Sequence, residues 1–333
     1  MKVLRILAGL IVFVVVVVLL GYFAAFRTAT SKYEKKWTAH NAEFPIPFPL
    51  DSAGLDELRQ QRIAAGASSK KNPLAGVDLA AAANDRAVRH GERLLKSRLG
   101  CVGCHGKDLG GGVVIDDPMV GYWAAPNLTL GSGGVTSGFS AHDWDLAVRH
   151  GIRHTGQSSS MPSIEFVGLA DHDLSDVIAY IRSRPEVNRL IAPVKLGPVF
   201  TFVVALDPTA LIAFSLDHAR AHMAEPPHEA VSAEFGEYIA QNCRGCHNPK
   251  LSGGKIQGDP TMPIVANLTP DSTGLKSWSE ADFMRAMREG KRPDGRELSL
   301  QMPWKLFRNM NDIELKAIWT YLRTLPAVPK GVK

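Results

Sequence analysis

The sequence predicts an all-α protein with two tandem helical domains behind one N-terminal transmembrane helix. Three observations carry that prediction. A pentapeptide recurs, as Cys101-Val-Gly-Cys104-His105 and as Cys243-Arg-Gly-Cys246-His247. The first half of the chain falls on the second when shifted by 140 to 142 residues. Residues 6–26 form an uncharged apolar run.

That run is long enough to matter. At about 1.5 Å per residue it spans roughly 30 Å, one hydrocarbon core. The apolar region of a signal peptide is normally about 7–15 residues. An uncleaved anchor over 1–26 is therefore expected, in preference to cleavage near Ala24-Ala25. Lys2 and Arg5 precede the run, while Arg27, Lys32, Lys35 and Lys36 follow it. Basic residues on both sides leave its orientation undecided by charge. Residues 27–84 contain Phe44-Pro45-Ile46-Pro47-Phe48-Pro49. They read as a proline-stiffened tether or as a segment packed on the first domain.

The repeated pentapeptide is the attachment signature of c-type haem. Its two thiols add to the haem vinyl groups as thioethers, and the adjacent histidine coordinates iron. All four cysteines of the chain lie in these motifs. A zinc site would use the thiols as ligands, and a thioredoxin-like motif would want a βαβ setting. Neither accounts for a histidine after both pairs. Two covalently bound haem c groups are thus expected. They would be held by Cys101, Cys104 and His105 and by Cys243, Cys246 and His247, in cytochrome c-type domains at 85–187 and 231–333. In bacteria such haem is attached outside the cytoplasm. The expected location is the inner membrane, single-pass, with the haem domains in the periplasm and residues 27–84 as a periplasmic tether.

Helical patterns recur in both copies. Leu174, Val177, Ile178 and Ile181, like Leu315, Ile318, Trp319 and Leu322, follow the spacing of one helix face. Asn311 with Glu314 resembles a capping box. Pro185 and Pro326 end these helices. Further helices are expected near 142–150 and 280–289, with opening helices near 85–97 and 233–241. Strand signals are weak. The linker, 188–230, carries an apolar run at 199–206, too short to span a membrane. It reads as interdomain packing or as contact with a partner or the membrane surface.

Methionine is the usual second iron ligand of electron-transfer cytochromes c. Met161-Pro162 and Met302-Pro303 match at an offset of 141, so Met161 and Met302 are the candidate metal ligands beside His105 and His247. Met119 and Met262 rank as pocket or loop residues, and Met284 and Met287 as packing. Asn127-Leu-Thr and Asn267-Leu-Thr match at 140. These asparagines are candidates to support a haem loop or to donate to a propionate, against an ordinary turn role. Arg149, Arg153, Arg288 and Arg292 are propionate partners or solvated helix residues. Each ligating histidine should donate its other ring N–H to a carbonyl, for which Pro126 is a candidate in the first domain.

The run Asn267-Leu-Thr-Pro-Asp271, Trp278-Ser-Glu-Ala-Asp-Phe283, Arg288-Glu-Gly290, Arg292-Pro-Asp-Gly295, Met302-Pro303 and Tyr321-Leu-Arg323 is similar to bacterial multihaem cytochromes c. The likeness is greatest to cytochrome c subunits of membrane-bound alcohol and gluconate dehydrogenases, and it covers residues 85–328. Those subunits usually carry three haems, whereas this chain has two motifs and its anchor at the N-terminus. The resemblance implies a dihaem electron carrier and not an enzyme. Single electrons would pass between a membrane or periplasmic donor and a respiratory acceptor. The expected partner is a membrane dehydrogenase, a quinol-oxidising complex or a terminal oxidase. The alternatives are a peroxidase-like dihaem enzyme and a fixed subunit of a dehydrogenase or respiratory complex. Matched Met-Pro segments oppose the peroxidase, which needs an open iron. A net charge of +5, dispersed along the chain, argues against a nucleic-acid partner.

Overall fold

The computed structural model describes residues 2–66, 72–256 and 263–332. Its helices are α1 (Lys2–Tyr33), α2 (Ser52–Ala64), α3 (Leu79–Leu94), α4 (Val102–His105), α5 (Ala141–Val148), α6 (Asp171–Arg182), α7 (Pro198–Leu206), α8 (Ala233–Ala240), α9 (Arg244–His247), α10 (Glu280–Glu289), α11 (Trp304–Phe307) and α12 (Asp312–Thr324). One π-helical turn, Leu95–Leu99, extends α3 toward Cys101.

The two halves repeat one design. An opening helix crosses a closing helix, α3 on α6 and α8 on α12. A glycine sits at each crossing because nothing larger fits. A Cβ on Gly91 would lie 2.0 Å from the Asp176 carbonyl oxygen, and one on Gly236 would lie 1.9 Å from that of Ala317. Leu174, Ile178, Leu94 and Leu95 fill the first core. Leu315, Ile318, Leu322 and Ile239 fill the second. Reciprocal capping boxes start α5 (Ser140 with Asp143), α10 (Ser279 with Asp282) and α12 (Asn311 with Glu314).

The expectation of an all-α fold needs correction: the chain is mostly helical and also carries a small sheet. Strands β1 (Gly112–Asp117), β2 (Gly121–Ala125) and β3 (Lys195–Leu196) pair antiparallel in that order. Gly112 faces Ala125, Asp117 faces Gly121, and Gly121 faces Leu196. From Val113 onward β1 is exposed, so its residues show no alternation of apolar and polar that would have revealed a strand.

Residues beyond the two repeats wrap the first domain. The Trp37 amide donates to the Gly156 carbonyl at 2.9 Å, and Ser175 Oγ donates to the Pro45 carbonyl at 2.7 Å. The run at 199–206 forms α7. It packs on the end of α1 rather than between the domains. Val204 and Ala29 share a small core, and Phe202 meets Tyr22 with ring centroids 5.6 Å apart. Lys32 Nζ donates to the Ala205 carbonyl at 2.7 Å. The α1 segment Arg5–Tyr33 is long and apolar enough to cross a membrane, and its most apolar stretch, of mean hydropathy 3.0, has no part buried.

The domains meet around one buried cation. Arg98 lies 3.1 Å from Asp173 Oδ2 at the start of α6 and 3.7 Å from Glu314 Oε1 at the start of α12. Tyr238 of α8 donates to the same Asp173 oxygen at 2.6 Å.

Candidate functional site

Each pentapeptide is wound into a single short helical turn. Gly100, with φ +62°, supplies the left-handed residue that ends the π turn and starts the first motif. His105 and His247 are buried, and each ring points one nitrogen at a backbone carbonyl. His105 Nδ1 lies 2.9 Å from the Pro126 oxygen, and His247 Nδ1 lies 2.8 Å from the Ala266 oxygen. A carbonyl only accepts, so Nδ1 carries the proton in both rings. Burial pushes both imidazoles below their ordinary pKa, against the opposing effect of the carbonyl bond. A neutral ring protonated at Nδ1 leaves Nε2 with a free lone pair. That is the donor atom an iron would take.

The supporting loops match residue for residue. The His105 and His247 carbonyls accept from Gly111 at 2.8 Å and from Gly253 at 2.9 Å. Leu109 and Leu251 both adopt φ +57°, unusual for a branched residue. Each is buried and held there by a 2.8 Å bond from the Leu128 or Leu268 amide.

Asn127 and Asn267 stand directly after the two accepting carbonyls. Asn127 Nδ2 donates to the Val187 carbonyl at 2.6 Å, and its Oδ1 accepts from the Thr129 amide at 2.9 Å. Asn267 repeats this with Val328 at 2.7 Å and Thr269 at 2.9 Å. Both amides are committed to protein partners, which suits a loop-supporting role.

Met161 and Met302 occupy matching, partly buried positions at the edges of the two cores. The Met161 carbonyl accepts from Ser163 at 2.8 Å, and that of Met302 accepts from Trp304 at 2.7 Å. Met119 is 54% exposed. Met287 is buried and Met284 packs against the second core. Met262 lies outside the described residues. Arg149 is fully buried rather than solvated, while Arg288 stays partly exposed on its helix. Each ties down the start of a closing helix: Arg149 bonds the Leu169 carbonyl and Asp171 at 2.9 and 2.7 Å, and Arg288 bonds the Met310 carbonyl and Asp312 at 2.6 and 2.7 Å.

The cysteines form no disulfide. Burial pushes Cys101 and Cys243 up to about 12, so both stay protonated. Two uncharged thiols beside an imidazole with a free Nε2 fit a haem that is attached through sulfur and ligated through nitrogen.

Sequence reading missed Glu165. Its side chain leaves the first domain and reaches the second motif, where a Cβ on Gly245 would lie 2.8 Å from Glu165 Cγ. Burial drives its carboxyl up to about 7. Its charge also bears on the Cys104, Cys243 and Cys246 thiols, after their own burial. Position 165 carries no motif, and only the packing of one domain on the other reveals it.

A cytochrome c family model matches residues 88–185 and 233–326. The chain therefore belongs to the cytochrome c family, and membership implies covalently bound haem c. It is 28% identical to the fructose dehydrogenase cytochrome subunit of Gluconobacter japonicus, over 68% of this chain and 50% of that one. It is 24% identical to the alcohol dehydrogenase (quinone) cytochrome c subunit of Gluconobacter oxydans, over 75% and 57%. A 94-residue stretch is 34% identical to the gluconate 2-dehydrogenase cytochrome c subunit of Pantoea cypripedii, over 26% of this chain and 21% of that one. The chain thus spans little more than half the length of the curated relatives it matches most broadly.

Proposed function

We propose that this chain is a dihaem, membrane-anchored electron carrier that serves a dehydrogenase as its cytochrome c subunit. The observation that carries the reading is the duplicated site. Both copies present a buried imidazole with Nδ1 bonded to a carbonyl and Nε2 free, and both place a Met-Pro segment alike. When bound, haem c supplies reversible one-electron chemistry, and Met/His ligation keeps its iron closed to substrate. Cys101, Cys104, Cys243 and Cys246 would hold the two groups, with His105 and Met161 on one iron and His247 and Met302 on the other. The Pro126 and Ala266 carbonyls fix the ring planes, and Asn127 and Asn267 hold those carbonyls in place. Such a site keeps its ligands unchanged through a redox cycle, which suits a carrier.

The two motifs adjoin. Asn242, beside Cys243, donates to the Arg98 carbonyl at 3.2 Å, and Glu165 reaches Gly245. Adjacent sites favour passage of electrons within the chain. The alcohol and fructose dehydrogenase relatives favour a dehydrogenase as donor. Residues 5–33 would anchor the chain in the inner membrane. Their outer end, docked on α7, would hold the haem domains at the periplasmic surface, from which electrons pass to a respiratory acceptor.

Reductive titration of the pure protein tests the reading. Two electrons should enter per chain, with no turnover of peroxide, alcohols or aldoses using artificial donors or acceptors. Uptake of one electron, or turnover of any of these substrates, would overturn it.

A further inference from the structure

Three histidines and an aspartate from distant parts of the chain converge on one point of the first domain. His40 comes from the segment before α2, Asp145 from α5, His150 from just after α5, and His222 from the segment before α8. One donor atom from each lies within 4.8 Å of the other three. His150 Nε2 is 3.1 Å from His222 Nε2 and 3.4 Å from Asp145 Oδ2, and His222 Nε2 is 3.6 Å from Asp145 Oδ1. Asp145 and His150 are fully buried.

Hydrogen bonding fixes which atoms carry protons. His218 Nε2 lies 2.8 Å from the Ala213 carbonyl oxygen, which can only accept. His218 Nε2 is therefore the donor, and its Nδ1 holds a lone pair. His150 Nδ1 lies 3.2 Å from that lone pair and must donate to it. The neutral His150 ring is left with a bare Nε2, facing a carboxylate oxygen and a second imidazole nitrogen. One proton on His222 Nε2 serves His150 but leaves Asp145 Oδ2 without a partner. That buried oxygen is unpartnered, and so is the buried Nδ1 of His40. Lone pairs aimed at each other in a dry site are costly unless a cation lies between them.

We propose that His40, Asp145, His150 and His222 bind a divalent transition metal, with zinc as the fitting ion. Three imidazole nitrogens and one carboxylate oxygen form a four-coordinate zinc set. With zinc–ligand bonds of about 2.0–2.1 Å, tetrahedral ligand atoms sit about 3.3 Å apart. The contacts of 3.1 and 3.4 Å among His150 Nε2, His222 Nε2 and Asp145 Oδ2 bracket that spacing. The outer partners are in place as well. Arg149 Nε bonds Asp145 Oδ1 at 2.6 Å and leaves Oδ2 to face the site, while His218 orients His150. Arg149 shares its charge with Asp171 at 2.7 Å. The two carboxylates, one guanidinium and three neutral imidazoles sum to one negative charge, which favours a dication.

Four protein ligands leave no open position, so the ion is structural. It fastens the segment carrying His40, which leads from the end of α1, to the linker carrying His222. Both are then fixed on the first domain. The geometry between anchor and haem domains depends on this clasp.

The test uses the full chain, haem-loaded and purified in detergent. It is dialysed against zinc sulfate and then against zinc-free buffer. Element-specific mass spectrometry should find one zinc per chain besides the haem iron. Zinc-edge X-ray absorption should show nitrogen and oxygen ligands without sulfur. His40→Gln and His222→Gln should each weaken zinc binding at least tenfold and abolish the zinc-dependent rise in Tm, with haem content intact. His154→Gln, on an exposed histidine outside the cluster, should bind zinc as before. Should the variants misfold, zinc stoichiometry and ligand type in the unmodified chain decide alone. Absence of zinc from the folded protein, sulfur in the absorption spectrum, or equal binding by His40→Gln and His222→Gln would each overturn the site.

Discussion

Replacing Gly236 with alanine separates two effects that oppose each other. Helix propensity alone favours alanine by about 1 kcal/mol in a helix interior. Packing opposes it. The new methyl would sit 1.9 Å from the Ala317 carbonyl oxygen and 2.8 Å from Tyr321 Cβ. An ordinary contact is about 3.4 Å, so α8 and α12 must part by more than an ångström, and no flexible side chain can absorb the strain. Overpacking of a tight core costs about 1–3 kcal/mol, and a clash of methyl on backbone belongs at the upper end. The net expectation is a loss of about 2 kcal/mol. For a domain of this size that lowers Tm by roughly 10 °C. Thermal melts of the haem-loaded chain, followed by Soret absorbance, give the measurement. The displacement also reaches the second motif, because α8 runs through Gln241–Cys243 directly into α9. A melting temperature equal to or above the parent's would refute the packing argument.

Three further outcomes follow from the sites. Replacing Cys243 and Cys246 together with alanine should remove one of two covalent haems, read by intact mass after acid–acetone extraction; retention of both would move the attachment elsewhere. Met161→Ala and Met302→Ala should each lower one midpoint potential or open one iron to carbon monoxide, and spectra unchanged in both would exclude these ligands. Glu165 sets a pH dependence. Its folded pKa, near 7 through burial, stands above the ordinary carboxyl value of 4.5. The folded state keeps a proton that the unfolded chain has released, so its stabilising effect is full below about 4.5 and is lost as pH rises through about 7. The change across that window should be about 3 kcal/mol. Glu165→Gln should flatten it in urea titrations at successive pH values, and a variant with the parent's slope would sink the assignment.

Much of the site was legible because it is local. C-x-x-C-H is contiguous, and the Met-Pro and Asn-Leu-Thr segments announce themselves by repetition at nearly one offset. The helices α6 and α12 showed as apolar stripes ended by a proline, α12 with a cap as well. The sheet did not show, because β1 lies exposed in a glycine-bounded loop and buries no alternating face. Arg149 misled for a different reason. Arg149 looks like a surface cation, yet it is fully buried, its charge met by Asp145 and Asp171. Only tertiary structure brings the second of those carboxylates to it. The histidine cluster left only short local traces, Asp145 five residues before His150 and His218 four residues before His222, and His218 stands outside the cluster itself. His222 lies 72 residues from His150 and 182 from His40, beyond any periodicity.

The interface shows what duplication alone does not supply. Asp173 and Glu314 hold the same place in their repeats, the third residue of the closing helix, and both turn toward Arg98. Arg98 has no counterpart in kind, since the matching position in the second repeat is Ala240. One unmatched cation thus satisfies two matched carboxylates, and the symmetry of the repeats ends there. Glu314 is also held by Arg93 at 2.8 Å and by the Asn311 amide at 2.8 Å, so both of its oxygens are used. A buried charge network of this kind contributes little net stability, yet removing one partner strands the others at a cost of several kcal/mol. Its consequence is a single preferred docking of one domain on the other. That docking sets Asn242 on the Arg98 carbonyl and Glu165 against Gly245, so the two attachment motifs face each other at a fixed separation. Electron passage falls off steeply with distance, and a relay therefore needs rigidity between its sites more than it needs any further ligand. Arg98 provides it.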